Sequence, residues 1–66
     1  MQAPDVFPDA VRIALEQWCE QRRITPQGDA SLATTLGVSW DAIMGCYCFI
    51  YRDIFYGIEL SGYIHT

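Results

Sequence analysis

The sequence contains no lysine, and its positive charge comes from four arginines set against eight acidic residues. The arginines are Arg12, Arg22, Arg23 and Arg52. The formal net charge is −4, and no basic side chain lies between Ile24 and Tyr51. Nucleic acids and anionic membranes bind proteins that present clustered positive charge. The composition therefore disfavours a nucleic-acid partner and predicts no membrane partner.

The sequence predicts neither a signal peptide nor a membrane-spanning segment. The N-terminal residues 1–10 (MQAPDVFPDA) have neither the basic start nor the apolar run of a secretory signal. The longest uncharged apolar run, residues 42–51, falls well short of the roughly 20 residues that a membrane helix needs. The cysteines are odd in number, which does not fit a complete set of disulfides. These features predict a cytoplasmic protein with reduced cysteines.

The sequence offers little for catalysis or for metal binding. His65 is the only histidine, and it lies far along the chain from Cys19. On a helix, Cys46 and Cys48 would point about 200° apart, so they would not converge on one ion. The glycines do not have the spacing of a phosphate-binding loop. We therefore expect no enzymatic activity, no metal and no cofactor.

The chain has ample material for burial: 52% of its 66 residues are hydrophobic and 14% are aromatic. This length suits one domain, residues 1–66, that buries only about 60% of the surface of its unfolded chain. A domain of this size has a marginal core. A contact with a partner protein would add to its stability.

The apolar spacing predicts an all-α fold, a small three-helix domain. A first helix over residues 8–23 has an apolar stripe at three- and four-residue intervals. A second, over residues 30–36, is expected to begin at a capping Asp29 and to end at Gly37. A third is expected over residues 40–56, with residues 57–66 as a C-terminal tail.

The third predicted helix is apolar on nearly every side, and such a helix must be buried nearly all round. We expect this helix to form a homodimer or to bind another protein. The residues expected in the dimer interface or core are Tyr47, Ile50, Ile54 and Phe55. The alternative is that the C-terminal segment folds back over the helix as a short strand or loop.

Residues 32–43 (LATTLGVSWDAI) resemble the bacterial helix-turn-helix family, through Ala33, Gly37 and Ile43 at the spacing that packs its two helices. The resemblance is limited to residues 30–46, and it implies this two-helix geometry. In that family the start of the second helix reads DNA bases, a task that favours Arg, Lys, Asn or Gln. Here Trp40 and Asp41 occupy that place, and the basic residues of a typical DNA-binding member are missing.

Exposed tryptophan, methionine and tyrosine side chains carry much of the binding energy at protein interfaces. The predicted partner-binding residues are Trp40, Asp41, Met44 and Tyr51. An inward-facing Trp40 that belongs to the core is an equally weighted alternative.

The leading hypothesis is a small acidic interaction module, an adaptor or inhibitor of a larger protein. Phage-encoded modulators such as anti-CRISPR inhibitors belong to this class. The alternative is a dimeric helix-turn-helix DNA-binding transcriptional regulator that uses Arg22, Arg23 and Ser39. A third hypothesis is that the protein is a subunit that completes a larger complex.

Overall fold

The computed structural model describes all residues, 1–66, and contains two helices and four strands. The elements are α1 (Asp9–Gln21), α2 (Leu32–Leu36), β1 (Ser39–Asp41), β2 (Cys46–Tyr51), β3 (Ile54–Ile58) and β4 (Ile64–His65). The strands form one antiparallel sheet in the order β1-β2-β3-β4. The chain is therefore an α+β fold, and the prediction of an all-α domain is wrong.

The third predicted helix is absent, because residues 40–56 form most of β1, all of β2 and the first three residues of β3. Aromatic and β-branched side chains are frequent in this segment, and they favour strands. Arg52 and Asp53 have φ angles of 51° and 66° and form a two-residue turn between the paired residues Tyr51 and Ile54. Two positive φ angles match the twist of a hairpin. Dimerisation through a third helix is thereby excluded.

The helix-turn-helix geometry is not formed either. The expected second helix of that motif begins at Trp40, but Ser39–Asp41 is a strand that pairs with β2. Gly37 ends α2 in the left-handed conformation with φ 73°, as predicted. The following residues then run extended into the sheet. Of the helix-turn-helix motif, only the first helix and the turn that follows it have a counterpart in the structure, namely α2 and Gly37.

Specific hydrogen bonds fix the end of α1 and the start of α2. α1 ends in a Schellman motif, in which the Ile24 N–H donates to the Cys19 carbonyl at 2.9 Å and Arg23 has φ 57°. α2 is capped by Ser31, whose hydroxyl accepts from the Thr34 N–H at 3.1 Å. The predicted cap at Asp29 is therefore wrong by two residues. Neither helix is long and apolar enough to cross a membrane.

The core lies between α1 and one face of the sheet, called here the inner face. Its buried side chains are Val11, Leu15, Trp18 and Cys19 from α1, and Tyr47, Phe49 and Ile58 from β2 and β3. Trp18 is central, because its ring meets three others edge-on: Phe49 at 5.0 Å, Tyr51 at 5.3 Å and Tyr56 at 5.1 Å between centroids.

The connection between β3 and β4 also packs against α1. Gly62 has φ 95°, and a β-carbon at this position would lie 2.7 Å from the Ala10 carbonyl oxygen. Only glycine allows so close an approach at this φ angle. The approach returns the chain to the sheet, where Ile64 pairs with Ile58. The C-terminal segment therefore adds a strand beside β3.

Candidate functional site

The second face of the sheet, the open face, points away from α1. Side chains alternate between the two faces along a strand. Phe49 and Tyr56 therefore point towards α1, while their neighbours Ile50 and Phe55 point away from it. Ile50 and Phe55 pair across β2 and β3, and they are 64% and 54% exposed. Two large apolar side chains thus lie side by side in water.

The end of the β2–β3 hairpin extends past both edge strands. β1 pairs with β2 no further than Cys48, and β4 pairs with β3 no further than Gly57. The hairpin end, residues 50–55, consequently pairs only with itself. Ile54, next to the turn, is also 48% exposed. Most of the exposed apolar surface of the sheet is therefore concentrated at the hairpin end.

Polar groups occupy the other end of the open face. The His65 ring stacks on Tyr63 at 5.5 Å, and its Nε2 lies 3.8 Å from a Glu59 carboxylate oxygen. Cys46 and Cys48 share this face, because a strand places residues two apart on the same side. The prediction that these thiols point apart rested on a helix and is wrong. No group of three or more His, Cys, Asp or Glu side chains converges on a metal position.

The environment of Cys46 is unsuited to a nucleophile. Burial raises the pKa of its thiol, and the nearby Glu59, Asp41 and Cys48 raise it further. A hydrogen bond with the Ile58 backbone lowers the pKa in part. Because the thiolate is the reactive form, a raised pKa keeps Cys46 in its unreactive thiol form at neutral pH.

The predicted partner-binding residues do not form one surface. Trp40 is half-buried: its ring packs against Tyr47 at 4.9 Å, and its Nε1 donates to the Met1 carbonyl at 2.9 Å. A carboxylate oxygen of Asp41 accepts the N–H groups of Ile43 and Met44, both at 3.0 Å, and so holds the β1–β2 loop. Through these contacts, Trp40 and Asp41 stabilise the fold.

Met44 and Tyr51 lie at opposite ends of β2. Met44 is 69% exposed in the loop before the strand. Tyr51 ends the strand, where it is half-buried and its ring contacts Trp18 on the inner face. A partner that covers one of these side chains would have to span the strand to reach the other.

The residues predicted for the dimer interface or core divide between the two faces. Tyr47 is buried at 7% exposure and belongs to the core. Ile50 and Phe55 form the exposed pair on the open face, and Ile54 is exposed beside the turn. The structure therefore separates a core residue from three surface residues at the hairpin end.

The residues of the DNA-binding alternative lie on different sides of the sheet. The Ser39 hydroxyl is 3.6 Å from the Cys48 thiol on the open face. Arg22 instead stacks on Trp18 at the end of α1, beside Arg23. Sequence reasoning missed Arg52, which shares a surface cleft with Arg22. The signal for Arg52 was a charged pair, Arg-Asp, between two apolar runs.

The largest depression on the surface is a groove of about 510 Å³ between α1 and α2. Phe7, Leu15, Leu32 and Ala33 supply its apolar lining. Its charged side chains, Arg12 and Glu16, are paired with each other at 3.1 Å. The groove thus carries no unpaired charge.

Comparisons with protein-family models, with curated proteins and with solved structures found no match to this chain. The functional assignment therefore depends on the geometry of the chain itself.

Proposed function

We propose that the protein is a small acidic interaction module, an adaptor or inhibitor of a larger protein, that docks through the hairpin end. The observation that carries this proposal is the exposed pair of Ile50 and Phe55 on the open face. The proposed contact therefore lies at the hairpin end and not at Trp40.

Exposed apolar side chains that lie together mark interaction sites more often than isolated ones do. The pair is held in a fixed arrangement by the register Ile50↔Phe55. Because the backbone is already ordered, docking would lose little conformational entropy, which favours affinity. A groove of a larger protein can also bind the open face at the hairpin end.

The size of the chain favours a partner larger than itself. An ordinary protein interface buries about 800 Å² on each side. That area is about one sixth of the total surface of 4690 Å². A protein with its own groove could surround the hairpin end and reach this area from both faces of the hairpin.

The experiment compares two variants in affinity capture from the cells that produce the protein. Ile50→Asp places a charge in the proposed contact, while Ile13→Asp places the same charge at an exposed apolar position on α1. The wild type and Ile13→Asp should recover the same partner, and Ile50→Asp should lose it. With the purified partner, the loss should reach about 30-fold in Kd, the effect of a hot-spot residue.

Circular dichroism melts must show that both variants remain folded. The proposal fails if folded Ile50→Asp recovers the same proteins as the wild type, or if Ile13→Asp has the larger effect. If Ile50→Asp instead dissociates a homodimer and changes no other recovery, the occupant of the open face is a second copy and the adaptor assignment is wrong.

A further inference from the structure

The arginines of this acidic chain are unevenly placed. Arg22 and Arg23 follow α1, and Arg52 lies in the β2–β3 turn. Arg12, by contrast, is paired on α1 with carboxylates at 3.5 Å and 3.1 Å. No carboxylate oxygen lies within 4.0 Å of the guanidinium groups of the other three arginines, although the chain has eight acidic residues.

Arg22 is held in position by an aromatic ring. Its Cζ lies 3.8 Å from the ring centroid of Trp18, and its Nη1 donates to the Trp18 carbonyl at 3.1 Å. Stacking fixes the guanidinium plane, and the remaining N–H donors lie in that plane. The Cζ of Arg52 lies 5.2 Å from the ring centroid of Tyr51, a longer cation–π contact. Both guanidinium groups thus keep N–H donors for a ligand, and that of Arg22 is held in a fixed orientation.

The two arginines line one surface cleft of about 330 Å³. The cleft is completed by Tyr51, Ile54 and Tyr56. Guanidinium groups bind carboxylates in a bidentate, planar arrangement, and the tyrosine rings give apolar walls with hydroxyl groups. Arginine and tyrosine are also the residue types enriched in interface hot spots. The cleft therefore has the chemistry of a site for an acidic side chain.

We propose that this cleft receives an aspartate or glutamate of the partner, so that the partner presents a carboxylate next to apolar side chains. The inference rests on the proposed function and names the partner's chemistry. The cleft opens on the inner-face side of the hairpin end, and Ile50 and Phe55 lie on its open face. A partner whose groove surrounds the hairpin end would contact both. Charge complementarity selects the carboxylate.

A nucleic-acid backbone fits this end of the molecule less well. Polyanions are held by extended positive surfaces, and affinity grows with the number of phosphates neutralised. The basic surface here consists of three side chains, and Asp53 follows Arg52 directly. The net charge of −4 adds repulsion at longer range. A single protein carboxylate needs only the local pair of guanidinium groups.

The test is an NMR titration of the ¹⁵N-labelled protein with a peptide of alternating glutamate and leucine. The control peptide has glutamine in place of glutamate. We expect shifts at Arg22, Tyr51, Arg52 and Tyr56 from the acidic peptide only, with a Kd of about 1 mM. Arg22→Gln with Arg52→Gln should weaken binding about tenfold, the loss expected when a charge-assisted contact is removed.

Arg12→Gln is the matched control and should leave the titration unchanged. Arg52→Gln alone, in an exposed turn, keeps the test valid if the double variant is unstable. The inference is overturned if the acidic peptide causes no shifts, or if the arginine variants bind it as tightly as the wild type does. Tighter binding of duplex DNA at the same residues would also overturn it. Loss of partner capture in Ile50→Asp, without any peptide binding in this cleft, would leave the proposed function standing and remove this inference alone.

Discussion

The two faces of the sheet differ in what covers them, although they come from the same strands. Phe49 on the inner face is 2% exposed, while Ile50, the next residue, is 64% exposed. Both side chains are large and apolar. Hydrophobicity alone therefore does not decide which of them is buried. The position of α1 decides it, and the open face is left with apolar surface that the fold does not use.

The sharpest test of this comparison is the loss of the central inner-face ring. Trp18→Ala removes the edge-on contacts with Phe49, Tyr51 and Tyr56 and leaves a cavity. Such a change costs about 3–5 kcal/mol of the free energy of unfolding, and a domain of this size has only about 3–10 kcal/mol in total. We expect a largely unfolded variant in urea titrations followed by circular dichroism. A cooperative transition within about 1 kcal/mol of the wild type would contradict the inner-face core.

Alkaline pH should lower the stability through buried thiols. Burial raises the pKa of Cys19, although the charge of Arg22 opposes this shift, and burial also raises the pKa of Cys46. Below the ordinary thiol pKa of about 8.5, both groups are protonated in the folded and the unfolded chain, and these thiols add no pH dependence. Above it, the unfolded chain loses protons first. The free energy of unfolding should then fall, by at most about 1.4 kcal/mol per pH unit for each thiol.

Urea titrations between about pH 7 and pH 9.5 measure this decline, because the interval brackets the thiol pKa. Cys46→Ala should reduce the slope, because it removes one of the two buried thiols. A stability that rises across this interval would show that the buried thiols are not protonated in the folded protein.

The smallest expected effect on stability is at the open face. Ile50→Ser should change the free energy of unfolding by less than about 1 kcal/mol, since it removes a strand preference and little burial. Phe49→Ser, one residue earlier, should cost about 3 kcal/mol or more. Equal losses in urea titrations of these two variants would break the distinction between the faces.

The sequence permitted part of this structure to be predicted. The stripe of Val11, Leu15 and Trp18 marks α1 because these side chains recur at the three- and four-residue spacing of one helix face. Gly37 marks the end of α2 because it alone adopts φ 73° at little cost. At both positions one local preference determines the structure, and no other preference opposes it.

The sheet could not be predicted in the same way, because residues 46–51 are apolar on both faces of a strand. The alternation that identifies a strand is hidden when Cys48 and Ile50 are as apolar as Tyr47 and Phe49. The run also fits two stripes on a helix. The turn after it contains Arg52 and Asp53 instead of the usual Asn-Gly, so the hairpin had no familiar signal.

The candidate site was predicted only in part. The apolar character of Ile50, Ile54 and Phe55 predicts a dimer interface or core whichever element contains them, but it does not predict a separate partner-binding site. The cleft of Arg22 and Arg52 joins residues 30 positions apart, and this pairing depends on the hairpin register. A sequence read as three helices could not bring these residues together.

Site-specific photo-crosslinking tests the central claim most directly. A benzophenone side chain is placed at Phe55 on the open face or, as the matched control, at Ile13 on α1, and the cells that produce the protein are irradiated. We expect one discrete heavier adduct from position 55 and none from position 13. An adduct from position 13 alone, no adduct from position 55, or an adduct of twice the chain's own mass would contradict it.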